Sequence, residues 1–250
     1  MKQSFVQKHP YVAAVLTGVL CAFMTGLGMA VSQIAGLEGD AVYAGATVSL
    51  LISVIIGFII MKRTGFTLAG FGFTGNKKDT TNKIGWYIPL VVIELLPVVF
   101  YGFDSSITGV QLVILACFTI AVGFNEEIYF RGLVLKFLEQ KGTKRAIIVS
   151  SVIFGVIHLI NVLNGKNTLY LILQMLFALL VGFVLAEIVT ITKSLWVPII
   201  WHASHDFISG VTGDSLDVKA LIILGIQVVI LIVYAVYMWK ISNTEEARNI

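Results

Sequence analysis

The stretch GFNEEIYFRGLVL, Gly123–Leu135, sets two glutamates and an arginine inside an apolar run that begins near Ile107. A charged residue at the centre of a membrane helix costs about 2.5–3.5 kcal/mol on insertion scales, so Glu126, Glu127 and Arg131 require partners or a function. The rest of the chain makes a membrane the relevant solvent. Of 250 residues, 58% are hydrophobic and only 12% are charged, with a mean hydropathy of +0.94, which is too apolar for an ordinary soluble domain. The net charge of +3 comes with no dense basic tract, which excludes nucleic acid as a partner. Cys21 and Cys117 both fall in apolar runs and read as small hydrophobic residues, with no disulfide framework. The apolar run after MKQSFVQKHP continues past Ala30 without a small-x-small cleavage site, so it reads as a retained first span.

Apolar runs recur at about 11–35, 41–61, 84–102, 107–130, 146–162, 168–192, 195–210 and 217–239. A helix needs about 20 residues to cross the hydrocarbon core, so the runs at 146–162 and 195–210 are the short ones. Lipid leaves no water to satisfy a bare backbone, and the alternation of a β-barrel strand is absent. The expected fold is therefore all-α: a polytopic membrane protein, a bundle of about eight transmembrane helices forming a single transmembrane domain over residues 1–250. Placing both termini in the cytoplasm puts fourteen of the 17 basic residues in inside segments and leaves Glu38, Asp40, Asp104, Asp214 and Asp217 outside. The positive-inside rule favours that arrangement, in the cell membrane. Gly65–Lys83 is the longest polar connection and reads as a flexible cytoplasmic loop, and Pro89 and Pro97 predict a kinked third helix.

Ionisable residues within spans are few: Glu94, Glu126, Glu127, Arg131, His158, Glu187, His202, His205 and Asp206. Glu127 and Arg131 are four apart, one above the other on a helix face, and should pair. Glu126 points about 100° away and need not share that partner. His158 follows Phe154 by four residues, and His202 precedes Asp206 by four, with His205 nearby. A carboxylate among apolar groups and near an imidazole can take a proton from water. A second imidazole can stabilise the oxyanion formed when that water attacks a carbonyl. Amide hydrolysis inside the membrane would follow.

Three motifs carry a family resemblance. EEIYFR resembles EExxxR, FGVIH resembles FxxxH, and HASHD resembles HxxxN/D of the CAAX protease and bacteriocin-processing family, which includes the Abi-type proteins and the type II CAAX prenyl endopeptidases. FRG after the first motif and SLWVPI before the last also match, and the family-like core covers about 107–210. The resemblance implies a metal-independent, cofactor-free intramembrane glutamic endopeptidase. Glu126 would activate water, His158 would position it, and His202 with the residue four positions on, Asp206, would serve the oxyanion. Glu127 and Arg131 would support them. Asp206 stands where the eukaryotic prenyl-protein enzymes usually carry asparagine. An ionised aspartate cannot donate a hydrogen bond, so Asp206 either orients His202 or is protonated. The implied partners are the lipid bilayer and a membrane-associated or lipidated peptide or protein substrate.

Two other readings fit some of these residues. A zinc-dependent membrane metalloprotease could draw ligands from Glu126, Glu127, His158, His202 and His205, although the histidine spacing is not HExxH. A non-catalytic immunity protein against a bacteriocin would need no hydrolytic water. Glu94 is open between a structural partner such as Arg131 and a site role, and Glu187 reads as snorkelling to the cytoplasmic interface. Depth adds a constraint. Glu126 lies about 28 Å along the helix from Ile107, near the cytoplasmic edge, while His158 lies about 20 Å inward from Arg145. The fourth helix is then expected to tilt or break near Gly123, or the fifth to start beyond the interface, around a cavity open to the cytoplasm.

Overall fold

The computed structural model describes residues 5–75, 78–212 and 217–248. The described residues form eight long or medium helices in the order expected: α1 Pro10–Ile34, α2 Asp40–Arg63, α3 Ile88–Tyr101, α4 Gly109–Glu127, α5 Thr143–Ile157, α6 Thr168–Thr192, α7 Trp196–Thr212 and α8 Val218–Arg248. Among the described residues there is no strand. Among the described residues six helical stretches are long and apolar enough to cross a membrane, including Gly109–Lys141, Thr143–Val162 and Val218–Ser242. The chain is an all-α, polytopic membrane protein.

The short helices differ from expectation at one position. Thr143–Val162 is long enough to span, and the short pair is α3 with 14 residues and α7 with 17. At 1.5 Å per residue these cover about 21 and 26 Å, less than a hydrocarbon core of about 30 Å. A 3₁₀ turn at Gly85–Tyr87 takes up the start of the 84–102 run, and Gly102 at φ 72° ends α3. Only glycine takes that conformation without strain.

Sequence signals set the helix starts. Thr108 caps α4, its hydroxyl accepting from Gln111 N while the Gln111 side chain accepts from Thr108 N. Two end-of-helix donors are satisfied at once. Asn167 caps α6 by accepting from Tyr170 N at 2.9 Å. Apolar side chains such as Val15, Val19 and Phe23 on α1 and Val229 and Val233 on α8 face outward, as lipid requires and water would not favour.

Inside the bundle, α1 packs on α2, α2 on α4, α4 on α7, α5 on α6, and α6 on α8. The centre is the Gly123–Leu135 stretch: every residue from Glu127 to Leu135 is buried. The helix does not end at 130. It continues beyond Glu127 as a π-helical segment, Ile128–Val134, and then through Leu135–Leu138. Gly57 makes room for this segment, since a Cβ there would lie 2.7 Å from Ile128 Cγ2.

Candidate active site

The fourth helix is longer than the apolar run that predicted it. Running to Lys141, the fourth helix has Glu126 about 26 Å from Gly109 and about 22 Å from Lys141 at 1.5 Å per residue, so the carboxylate sits mid-helix. The expected break near Gly123 is not there, because α4 runs unbroken through that residue. Gly123 serves close approach instead: a Cβ on it would meet Ile199 O at 2.9 Å and Ala203 N at 3.0 Å. Contact at that range brings α7, with His202 and Asp206, against Glu126 and Glu127.

Arg131 Nη1 donates to Glu127 Oε1 at 3.0 Å, with both side chains buried. His202 Nδ1 donates to the same oxygen at 2.7 Å. A carboxylate that already accepts from a guanidinium leaves the imidazole nitrogen as donor, so the His202 proton is on Nδ1. Nε2 is then the working nitrogen. It lies 3.8 Å from Glu126 Oε2 and 3.7 Å from Asp206 Oδ2, beyond direct hydrogen-bond length. Glu126 Oε2 is shut off from solvent and has no hydrogen-bond partner. Orientation of His202, one of the two roles considered for Asp206, thus falls to Glu127, and Asp206 faces the same nitrogen as Glu126.

Phe154 joins the remaining parts. The Arg131 guanidinium carbon lies 4.1 Å from its ring centroid, a cation–π contact in a dry setting. The same ring meets His158 edge-on at 4.7 Å and His202 at 6.0 Å between centroids. His158 Nδ1 donates to Phe154 O at 2.7 Å, which leaves Nε2 as the acceptor of the neutral ring. Glu126, Glu127, Arg131, His202 and Asp206 are therefore gathered around one imidazole. His158 is held beside them through Phe154, and among the described residues it makes no ion pair with Glu126.

A cavity of about 290 Å³ opens beside this cluster, with Phe154, His158, His202 and Asp206 on its wall. Tyr101, Tyr170, Thr212 and Ala220 also line it, so it lies where α3 and α7 end and α6 and α8 begin. The opposite end of α6 carries Lys193, which shares a smaller pocket with Lys136 and Glu139. The expectation of a cavity open toward the basic loops is overturned. The short α3 and α7 leave the space at the other end of the bundle.

One residue left open by the sequence finds its partner, and one expectation is corrected. Glu94 does not meet Arg131: its Oε1 accepts from His205 Nδ1 at 2.9 Å. Glu187 does not snorkel to an interface. It is fully buried, and neither carboxyl oxygen has a partner. Asn125 is a residue that spacing did not single out. Its amide donates to Cys21 Sγ at 3.2 Å and Thr25 Oγ1 at 3.4 Å, fixing α1 against α4 just before the glutamates. Its signal was an amide in an apolar run beside two carboxylates.

Residues 108–208 match the family described as type II CAAX prenyl endopeptidase Rce1-like. This core is similar to the CAAX protease family. The matched stretch contains every residue of the cluster around His202 together with Phe154 and His158. No curated protein and no solved structure matches the chain. With six helical stretches long and apolar enough to span a membrane among the described residues, the match supports an integral membrane protein and, in general, a membrane endopeptidase with a peptide substrate.

Proposed function

We propose that this CAAX-type protease cleaves its peptide substrate with a water activated by Glu126 and without a metal. The observation that carries the reading is the double use of Glu127 Oε1, which holds both Arg131 and His202 Nδ1 and leaves His202 Nε2 facing Glu126 and Asp206. Glu126 Oε2 is an unused acceptor, suited to take a proton from water. The hydroxide adds to the scissile carbonyl carbon, and its oxygen becomes the oxyanion. His202 donates to it through Nε2, which requires the doubly protonated ring since Nδ1 is committed to Glu127. Glu126 then returns its proton to the leaving amine. His158 Nε2 helps to position the water or the peptide. Asp206, when ionised 3.7 Å from Nε2, favours the charged His202 ring by proximity without accepting its proton.

Metal independence is supported by donor chemistry. Among the described residues no group of three or more His, Cys, Asp or Glu is arranged to hold a metal ion, and Glu127 is occupied by Arg131 and His202. The whole chain in nanodiscs, incubated with membrane peptides, should cleave after exhaustive chelation and fail to cleave as Glu126→Gln. Activity lost to chelation and restored by zinc would replace this reading with the metalloprotease one.

A further inference from the structure

Two side-chain amides reach the cavity from helices that are apolar around them. Gln174 is the only polar side chain of α6 between Tyr170 and Glu187, and Gln227 the only one of α8 between Lys219 and Tyr234. Both line the cavity that carries His202 and Asp206. Gln227 Nε2 donates to Ile93 O at 3.1 Å, which fastens it to α3 and leaves Oε1, an acceptor. Gln174 Oε1 accepts from Asn161 Nδ2 at 2.9 Å, which fastens it to the 3₁₀ turns His158–Asn164 and leaves Nε2, a donor. Neither remaining atom has a hydrogen-bond partner among the described residues, and neither is shut off from solvent.

A polar group in a membrane span is costly unless its atoms are satisfied. Each of these amides is anchored at one end and presents the other, so the cavity offers one acceptor and one donor of fixed identity. A peptide segment entering from lipid brings the complementary need. In a helix its N–H and C=O groups bond to one another, but once it is extended for cleavage each of them requires a partner from the cavity. Apolar side chains of the segment are served by Phe177, Val181 and Leu224 on the same wall. Its main chain is not.

We infer that Gln227 Oε1 and Gln174 Nε2 form a backbone clamp for an extended substrate segment, the first accepting from a peptide N–H and the second donating to a peptide carbonyl. This rests on reading the cavity as the peptide site. The clamp reads the main chain and not a side chain, so the substrate class is an apolar segment that leaves the helical conformation inside the cavity. Ile93 O and Asn161 Nδ2 are what hold the two amides in orientation.

The test is binding of acetyl-Leu-Ala-Leu-methylamide to the full chain in nanodiscs, read by calorimetry and corrected for empty nanodiscs. The chain carries Glu126→Gln and a chelator is present, so that neither hydrolytic reading consumes the peptide. A failure of the glutamate reading shows as hydrolysed peptide in mass spectrometry and stays separate from the pattern of affinities. Analogues replace one amide at a time by an ester, which removes the N–H, or by a thioamide, whose sulfur is a poor acceptor. At least one ester and one thioamide should bind at least about fivefold more weakly than the parent. Adding Gln227→Met should make that ester bind as the parent does, and adding Gln174→Met should do the same for the thioamide. Gln227→Leu and Gln174→Leu stand in for a methionine variant that does not fold. No binding of the parent, or equal binding of all analogues to the chain with both glutamines, overturns the clamp whether or not the variants fold. Discrimination that persists in folded variants at both glutamines also overturns it.

Discussion

Glu127 and His202, 75 residues apart in sequence, are joined by a 2.7 Å hydrogen bond between Oε1 and Nδ1. The contact ties α4 to α7 and aims the opposite face of the imidazole at Glu126 and Asp206. Removing Glu127 should therefore damage the fold as well as the chemistry. Glu127→Ala leaves the Arg131 guanidinium buried without its carboxylate, a loss of about 3–5 kcal/mol. Thermal unfolding in detergent should show a clear drop for Glu127→Ala and little change for Glu126→Gln.

Gly123 is the close contact that permits this geometry. In Gly123→Val the new Cβ meets the backbone of α7 at Ile199 O and Ala203 N, and neither can move without the helix. Overpacking of this kind costs about 1–3 kcal/mol. The expected outcome is a lowered unfolding temperature together with lost cleavage. An unchanged variant would mean that the two helices are not in contact there.

Glu94 pairs with His205 and not with Arg131. A double-mutant cycle on unfolding should give a coupling energy of about 0.5–3 kcal/mol for Glu94→Gln with His205→Gln. The cycle of Glu94→Gln with Arg131→Gln should give none beyond error.

These pairs show how far spacing carries a reading. The apolar runs located the helices because lipid allows few alternatives, and the i,i+4 spacings were legible because they need only one helix: Glu127 with Arg131, and His202 facing Asp206. Contacts between helices were not. Glu94 could not be assigned to His205 without knowing that α3 lies against α7, and Glu187 looked interfacial although α6 and α8 enclose it. The π-helical segment after Glu127 was also hidden, since a shift from i+4 to i+5 bonding leaves no mark on an apolar sequence. That segment prolongs the fourth helix to Lys141 and places Glu126 mid-helix.

Sidedness follows from joining the cavity to the charge pattern. If the basic loops are cytoplasmic, the cavity faces the other side. In a background with Cys21 and Cys117 replaced, Thr212→Cys should react with a membrane-impermeant maleimide in intact cells. Lys141→Cys should react only after permeabilisation. The reverse pattern would put the cavity on the cytoplasmic side.

The central claim is that Glu126 activates the water that cleaves a membrane peptide. Membrane peptidomes from cells carrying the native chain and an equally abundant Glu126→Gln variant test it most directly. The account predicts that at least one cleavage product falls by about 10²–10⁴-fold in the variant while its intact precursor accumulates, since general-base catalysis contributes a factor of that size. Identical peptidomes from the two strains, with the product of the native protease still formed by Glu126→Gln, would contradict it.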